Sequence, residues 1–226
     1  MSPPDRRRWP RRLWSAWRLR WKRRELLWRT IRSGRALTPV ADRTAQIRKG
    51  DILVFACLRN ETQRLPEFLA HYRALGVSHF LVVDNDSDDG SDRLLLDQGD
   101  VSLWRTRASY RDARFGMDWI GALLFRHGYG HWCLTVDADE LLVYPDHEAR
   151  GLAALTAHLD AQGIRGMGAL MLDLFPEGPL DEPAQGTVLE QLPFFDPGPY
   201  RCQVMQPRRN RWVQGGVRDR AFFADR

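Results

Sequence analysis

No apolar run in the 226-residue chain approaches the ~20 residues that cross a bilayer. The N-terminus is basic but has no apolar core of a secretory leader, so none is predicted. Cysteine is scarce: Cys57, Cys133 and Cys202 form no CxxC pair and no closed disulfide set. Cys57 and Cys133 lie in apolar runs, which predicts core thiols in a reducing, cytoplasmic setting. No GxGxxG follows the first apolar run and no GxxxxGK[ST] occurs, which argues against a dinucleotide dehydrogenase and a P-loop NTPase. HExxH is absent too. His127 and His131 are four apart, but Gly128 and Gly130 interrupt the helix between them, and all six histidines read as structural or surface residues. No internal repeat is visible.

Acid is missing from one end. Residues 1–50 carry 16 Arg or Lys against three acids, whereas the rest carries 18 against 26. The net charge of +5 therefore belongs to the N-terminal stretch, read as an interaction arm and linker, and the body from Asp51 to Arg226 is acidic. Within residues 6–35, Trp14, Trp17, Trp21, Trp28 and Ile31 recur at helical spacing amid arginines. Such a helix suits an anionic membrane surface, as a peripheral contact at its inner face. Packing of the Trp face on the body, disorder, and nucleic-acid binding remain open, the last disfavoured by the acidic body. Residues 36–50 read as linker.

From Asp51 onward, strand-like and helix-like patterns alternate. Strands are predicted at Ile52–Leu58, His79–Val83, Val101–Trp104, Trp132–Val136 and Met167–Leu174. Helices are predicted around Leu65–Leu75, Ser91–Gln98, Phe115–His127 and Leu152–Gln162. This is an α/β pattern, a mostly parallel sheet covered on both faces. In such sheets ligands bind beyond the carboxyl ends of the strands. Asn60-Glu61, Asp84-Asn85-Asp86 and Asp137-Ala138-Asp139 each follow a predicted strand and are expected to share one rim.

Asp137 and Asp139 are two apart, so on extended backbone they point one way and Glu140 the other. Like charges that face together need a cation between them, and a hard divalent ion bound through oxygen supplies it. A solvated turn capping a helix is the bland alternative, weakened by the apolar runs on either side. The turn Asp84–Gly90 is similar in composition to a calcium loop, but no frame places both Gly at position 6 and Glu at position 12. Asp84 is then a candidate acceptor for a base or ribose, with Ser87–Gly90 making the turn.

Three motifs in order, Ala56-Cys57-Leu58-Arg59-Asn60-Glu61, Val82 to Gly90 (VVDNDSDDG) and Trp132 to Pro145 (WCLTVDADELLVYP), resemble family 2-type glycosyltransferases of the GT-A fold, in a bacterial branch with a VDADE motif. The resemblance runs from about Asp51 to Phe223 and implies a GT-A-like, Rossmann-type sheet, a nucleotide-diphospho-sugar donor and a divalent metal, Mn²⁺ or Mg²⁺. By position it places Glu61, Asp84, Asn85 and Asp137 at the nucleotide-sugar, with Asp137 and Asp139 at the metal. It implies inverting transfer to a glycan or lipid-linked acceptor hydroxyl, in cell-surface polysaccharide or glycolipid assembly. A carboxylate base is required; Asp173 is the first candidate, ahead of Asp196 and Glu177. Arg59, Arg111 and Arg114 are candidates for phosphate oxygens, with a solvated or structural role the favoured alternative for each. The proteins resembled continue beyond the segment matching Gly215 to Arg220, so acceptor-site elements are expected to be missing here. A nucleotidyltransferase or phosphohydrolase with the same acidic rim is the alternative enzyme class.

Overall fold

The computed structural model describes residues 9–177, 187–205 and 210–217. The chain divides into two units, Met1–Arg165 and Gly166–Arg226.

The first unit is built on five strands: β1 (Thr38–Ala41), β2 (Ile52–Leu58), β3 (His79–Asp84), β4 (Val101–Arg105) and β5 (Trp132–Thr135), in the spatial order β1-β4-β3-β2-β5. All pairings are parallel except β1 with β4. The helices are α1 (Trp9–Ser33), α2 (Leu65–Ala74), α3 (Ser91–Leu96), α4 (Met117–His127) and α5 (Leu152–Ala161). The unit is mixed α/β with a mostly parallel central sheet flanked by helices.

Strand β2 is buried at every position, as a central strand covered on both faces must be. Its alternate side chains separate the two cores. Ile52, Val54, Ala56 and Leu58 pack with Leu65, Phe68, Leu69 and Tyr72 of α2 and with Leu95 of α3. Leu53, Phe55 and Cys57 pack with Trp119, Ile120, Ala122 and Leu123 of α4. The helix changes face because the chain changes direction. Right-handed crossovers from β2 to β3 and on to β4 place α2 and α3 on one side, and the return to β5 beyond β2 places α4 on the other.

Residues 36–50 are not a linker. Thr38 pairs with Arg105 and Pro39 with Trp104, and a bulge follows Pro39. Proline is tolerated there because β1 is an edge strand. Arg43 ties the same stretch to the body, donating to the carbonyls of Val101 (2.7 Å) and Leu96 (2.9 Å). Edge pairing uses backbone groups, so composition alone does not reveal it.

Helix α1 docks on α4 through its C-terminal end. Arg29 Nε donates to Asp118 (2.8 Å), and buried Thr30 lies against Gly121. Gly34 comes so close to Ala122 that a Cβ there would sit 2.9 Å from the Ala122 methyl. The tryptophans face solvent instead: Trp14, Trp17, Trp21 and Trp28 are all exposed. Packing of the Trp face on the body is therefore excluded for the described residues; residues 6–8 of the basic stretch lie outside them.

The second unit contains β6 (Leu174–Phe175), α6 (Val188–Gln191), β7 (Phe194–Phe195), β8 (Arg201–Met205) and β9 (Asn210–Gln214). Among its described residues are two antiparallel ladders, β6 with β7 and β8 with β9. The strand expected over Met167–Leu174 does not form. Met167, Leu170, Met171 and Leu172 are exposed, and pairing begins only at Leu174 opposite Phe195. An apolar run becomes a strand only where a partner takes its backbone groups.

Candidate functional site

The reversal of strand order falls between β2 and β5. From β2 the chain moves to β3 on one side, and it returns to β5 on the other. The crevice outside the carboxyl ends of two such strands is where an open α/β sheet binds ligands. Arg59-Asn60-Glu61 leaves β2 there, and Asp137-Ala138-Asp139-Glu140 leaves β5.

β5 ends at Thr135, one residue before the predicted end, although the Val136 amide still donates to the Phe55 carbonyl (3.3 Å). The next four residues turn. The Glu140 amide donates to the Asp137 carbonyl (3.1 Å), and the Glu140 carboxylate accepts from the Asp137 amide (3.1 Å). Ala138 is buried, while Asp137 and Asp139 on either side are exposed. Neither Asp carboxylate has a hydrogen-bond or ion-pair partner among the described residues. Although exposed, Asp137 is partly desolvated by the crevice; that desolvation, then the charges of Glu140, Asp139 and Glu61, push its carboxyl above the ordinary carboxylate range. The structure thus brings Glu61, from the end of β2, into the field of the acids that follow β5. No three His, Cys, Asp or Glu side chains gather as a complete metal cage among the described residues.

α2 holds the acidic turn from behind. The buried Tyr72 hydroxyl donates to the Glu140 carbonyl (3.0 Å) and accepts from the Leu142 amide (3.2 Å). His71 Nε2 contacts the Leu142 carbonyl at 3.0 Å. The wall on the α4 side is Cys57 and Tyr110. Burial, then the charges of Asp137 and Asp84, push the Cys57 thiol up to about 12. Burial and the charges of Asp137, Cys57 and Asp139 also raise the Tyr110 phenol. Gly116, at φ +77°, closes this wall: a Cβ would sit 2.9 Å from Cys57 Sγ and 3.1 Å from Tyr110 Cε2.

The neighbouring rim is laced together. The Asn60 amide donates to Ser87 Oγ (3.0 Å), and Asn60 Oδ1 accepts from the Asp88 amide (3.0 Å). The Glu61 amide donates to Ser91 Oγ (2.9 Å), and the Thr62 amide to Asp89 (2.9 Å). The Glu61 carboxylate accepts from Arg64 (2.9 Å). Asp84 is fully buried and accepts from the Ser87 amide (3.2 Å) and Arg105 Nε (3.2 Å), while Arg105 also reaches Asp92 (2.5 Å). Asn85 spends its side-chain NH₂ on the carbonyls of Thr106 (3.0 Å) and Ala108 (3.2 Å). In the described structure Asp84 and Asn85 therefore brace the rim.

The arginine candidates separate. Arg59 and Arg111 are exposed, whereas Arg114 is held by Asp118 (Nε–Oδ1 2.8 Å) on α4. Asp173 precedes β6, Glu177 is exposed, and Asp196 is buried with Oδ1 accepting from the Gly198 amide (3.0 Å); all three belong to the second unit. Tyr72, Tyr110 and Arg105 do not stand out in the sequence. The available signal for Tyr72 was a phenol on an otherwise apolar helix face, since a buried Tyr hydroxyl needs a partner.

No family model matches the chain. A curated Arabidopsis thaliana protein described as a glycosyltransferase family 92 protein is 23% identical over 184 residues, covering 73% of this chain and 28% of that protein. The chain thus spans less than a third of that relative's length. The likeness is distant, and it agrees with the motifs on the reaction class, glycosyl transfer. The family differs: the similarity found is to family 92, not to the family 2 type that the VDADE pattern suggested.

Proposed function

We propose that the protein is a glycosyltransferase that moves a sugar from a nucleotide-diphospho-sugar donor to an acceptor hydroxyl, with a divalent metal, Mn²⁺ or Mg²⁺, held at Asp137 and Asp139. The observation that carries this is the uncompensated negative charge at the β2/β5 crevice. Partial desolvation and three neighbouring carboxylates raise the Asp137 carboxyl, and no basic side chain pairs with Asp137 or Asp139 among the described residues. Two hard oxygen donors without a cage fit an ion that takes one or two carboxylates from the protein and the rest from water and phosphate. When bound, the metal stabilises charge on the departing diphosphate.

The chain's own groups then divide the work. Asp137 and Asp139 bind the metal, and Tyr72 and Glu140 fix the turn that carries them. Glu61, Asp84 and Asn85 form the nucleoside side of the rim, with Asp84 and Asn85 setting its shape through their internal bonds. The acceptor oxygen bonds to the anomeric carbon as the bond to the phosphate oxygen breaks, and the hydroxyl proton passes to a carboxylate base, with inversion. A glycan or lipid-linked acceptor in cell-surface polysaccharide or glycolipid assembly suits this chemistry.

The test is calorimetric binding of UDP and GDP with Mn²⁺, and again with EDTA, to the wild type and Asp139→Asn. Metal-dependent binding that falls by about tenfold or more in the variant supports the assignment, and the preferred base narrows the donor. Binding unaffected by EDTA or by Asp139→Asn overturns the metal assignment. Nucleotidyl transfer or phosphate release, in place of sugar transfer, reassigns the rim to another enzyme class.

A further inference from the structure

α1 carries a surface that the transferase chemistry does not use. Trp14, Trp17, Trp21, Trp28 and Ile31 are 59, 55, 55, 72 and 37% exposed. Successive residues of a helix are about 100° apart, which sets these five in one stripe. Leu19, Leu26, Thr30 and Ser33, the less exposed residues of the helix, fall on a line roughly 165° away. The helix therefore turns one face to the body and the opposite, aromatic face to solvent over about 25 Å. An exposed apolar patch rimmed by polar residues marks an interaction site.

Charge specifies the partner. α1 holds nine Arg or Lys and a single acid, Glu25. Arg18 and Arg20 flank the stripe, Arg24 and Arg32 lie within it, and a groove there is lined by Trp17, Trp21, Arg20, Arg23 and Arg24. Indole rings at the level of anionic headgroups, with guanidinium groups alongside, are the arrangement of a helix lying in a membrane interface. Stacking on nucleic-acid bases is less suited. Trp17 and Trp21 meet edge to face at 5.8 Å, and the Arg18 guanidinium lies over Trp14 at 4.8 Å, so one face of Trp14 and one face of the Trp17–Trp21 pair are already in contact. No described helix is long and apolar enough to cross a membrane, so the contact lies on the surface.

We propose that α1 docks the protein on an anionic lipid surface through the Trp14–Ile31 stripe. The docking is independent of the sugar-transfer chemistry. Each arginine brought to an anionic surface adds about 1 kcal/mol, so binding depends on lipid charge and on salt.

The full chain is tested by flotation with vesicles of phosphatidylcholine containing phosphatidylglycerol, and with phosphatidylcholine alone. The expected result is flotation with the anionic vesicles, lost at high salt and absent from the neutral ones. The variant Trp17→Ser/Trp21→Ser/Trp28→Ser lowers the apparent vesicle affinity by about tenfold or more. These side chains point away from the body, so the circular dichroism and melting midpoint stay at the wild-type values. A second variant, Arg20→Glu/Arg24→Glu, loses the preference for anionic vesicles. Absence of flotation, or wild-type affinity in both variants, overturns the proposal. It is equally overturned if the stripe ignores vesicles and binds a short DNA duplex, or is covered by a second copy of the chain.

Discussion

The Tyr72 hydroxyl donates to the Glu140 carbonyl at 3.0 Å, linking the core face of α2 to the turn that presents Asp137 and Asp139. Burial pushes the phenol up to about 12, so it stays a donor throughout the physiological range. Tyr72→Phe keeps the packing and strands two groups, the Glu140 carbonyl and the Leu142 amide. The expected cost is about 1–2 kcal/mol in urea unfolding. Metal-dependent UDP or GDP binding is expected to weaken as well, because the turn loses its anchor. Full stability with full binding would show that packing alone holds the turn.

Asp118 sets an acid limit on the docking of α1. Its carboxylate is buried, which opposes ionisation, but hydrogen bonds from Arg114 and Arg29 outweigh burial and hold the carboxyl below its ordinary range. The unfolded chain therefore takes up this proton more readily. The stabilisation is complete above the unfolded value of about 3.9 and is lost as pH falls through the folded value. Asp100, held low against its own burial by Arg73, acts in the same direction. Urea midpoints measured from pH 7 to pH 3 are expected to fall at the acid end. Asp118→Asn should cost about 1–3 kcal/mol at pH 7, a modest value because both guanidinium groups stay wet. It should also flatten the acid slope.

The parallel strands and their helices were legible because burial leaves a local trace. β2 reads as seven apolar residues, and α2 repeats Leu65, Phe68, Leu69 and Tyr72 along one face. The acidic strand ends were legible too, since position after a strand and charge are both sequence properties. What stayed hidden depends on partners distant in the chain. β1 exists because β4 offers an edge, and Met167–Asp173 stays irregular because no strand pairs with it among the described residues. Arg114 looked available to phosphate, yet Asp118 holds it together with Arg29, which lies 89 residues from that carboxylate. Tyr72 declared its core position but not the two backbone groups it would meet.

The cysteines offer a check on the wall of the site that needs no ligand. Cys57 is buried at the end of β2, its thiol pushed up to about 12 by burial and then by the charges of Asp137 and Asp84. Cys133 is partly buried, and burial pushes it up to about 11. Cys202 is exposed. The thiolate is the reactive form, and a thiol near 12 is ionised in only about 1 part in 10,000 at pH 8. Ellman's reagent at pH 8 is therefore expected to modify one thiol per chain quickly and the other two only in denaturant. Cys202→Ser should abolish the fast phase. A fast phase of two thiols, with Cys57 identified in the labelled peptides, would mean that the wall of Cys57, Tyr110 and Gly116 opens to solvent. The Asp137 carboxyl would then lose part of the desolvation that raises it, and the case for a cation would rest on the unpaired charge of Asp137 and Asp139 alone.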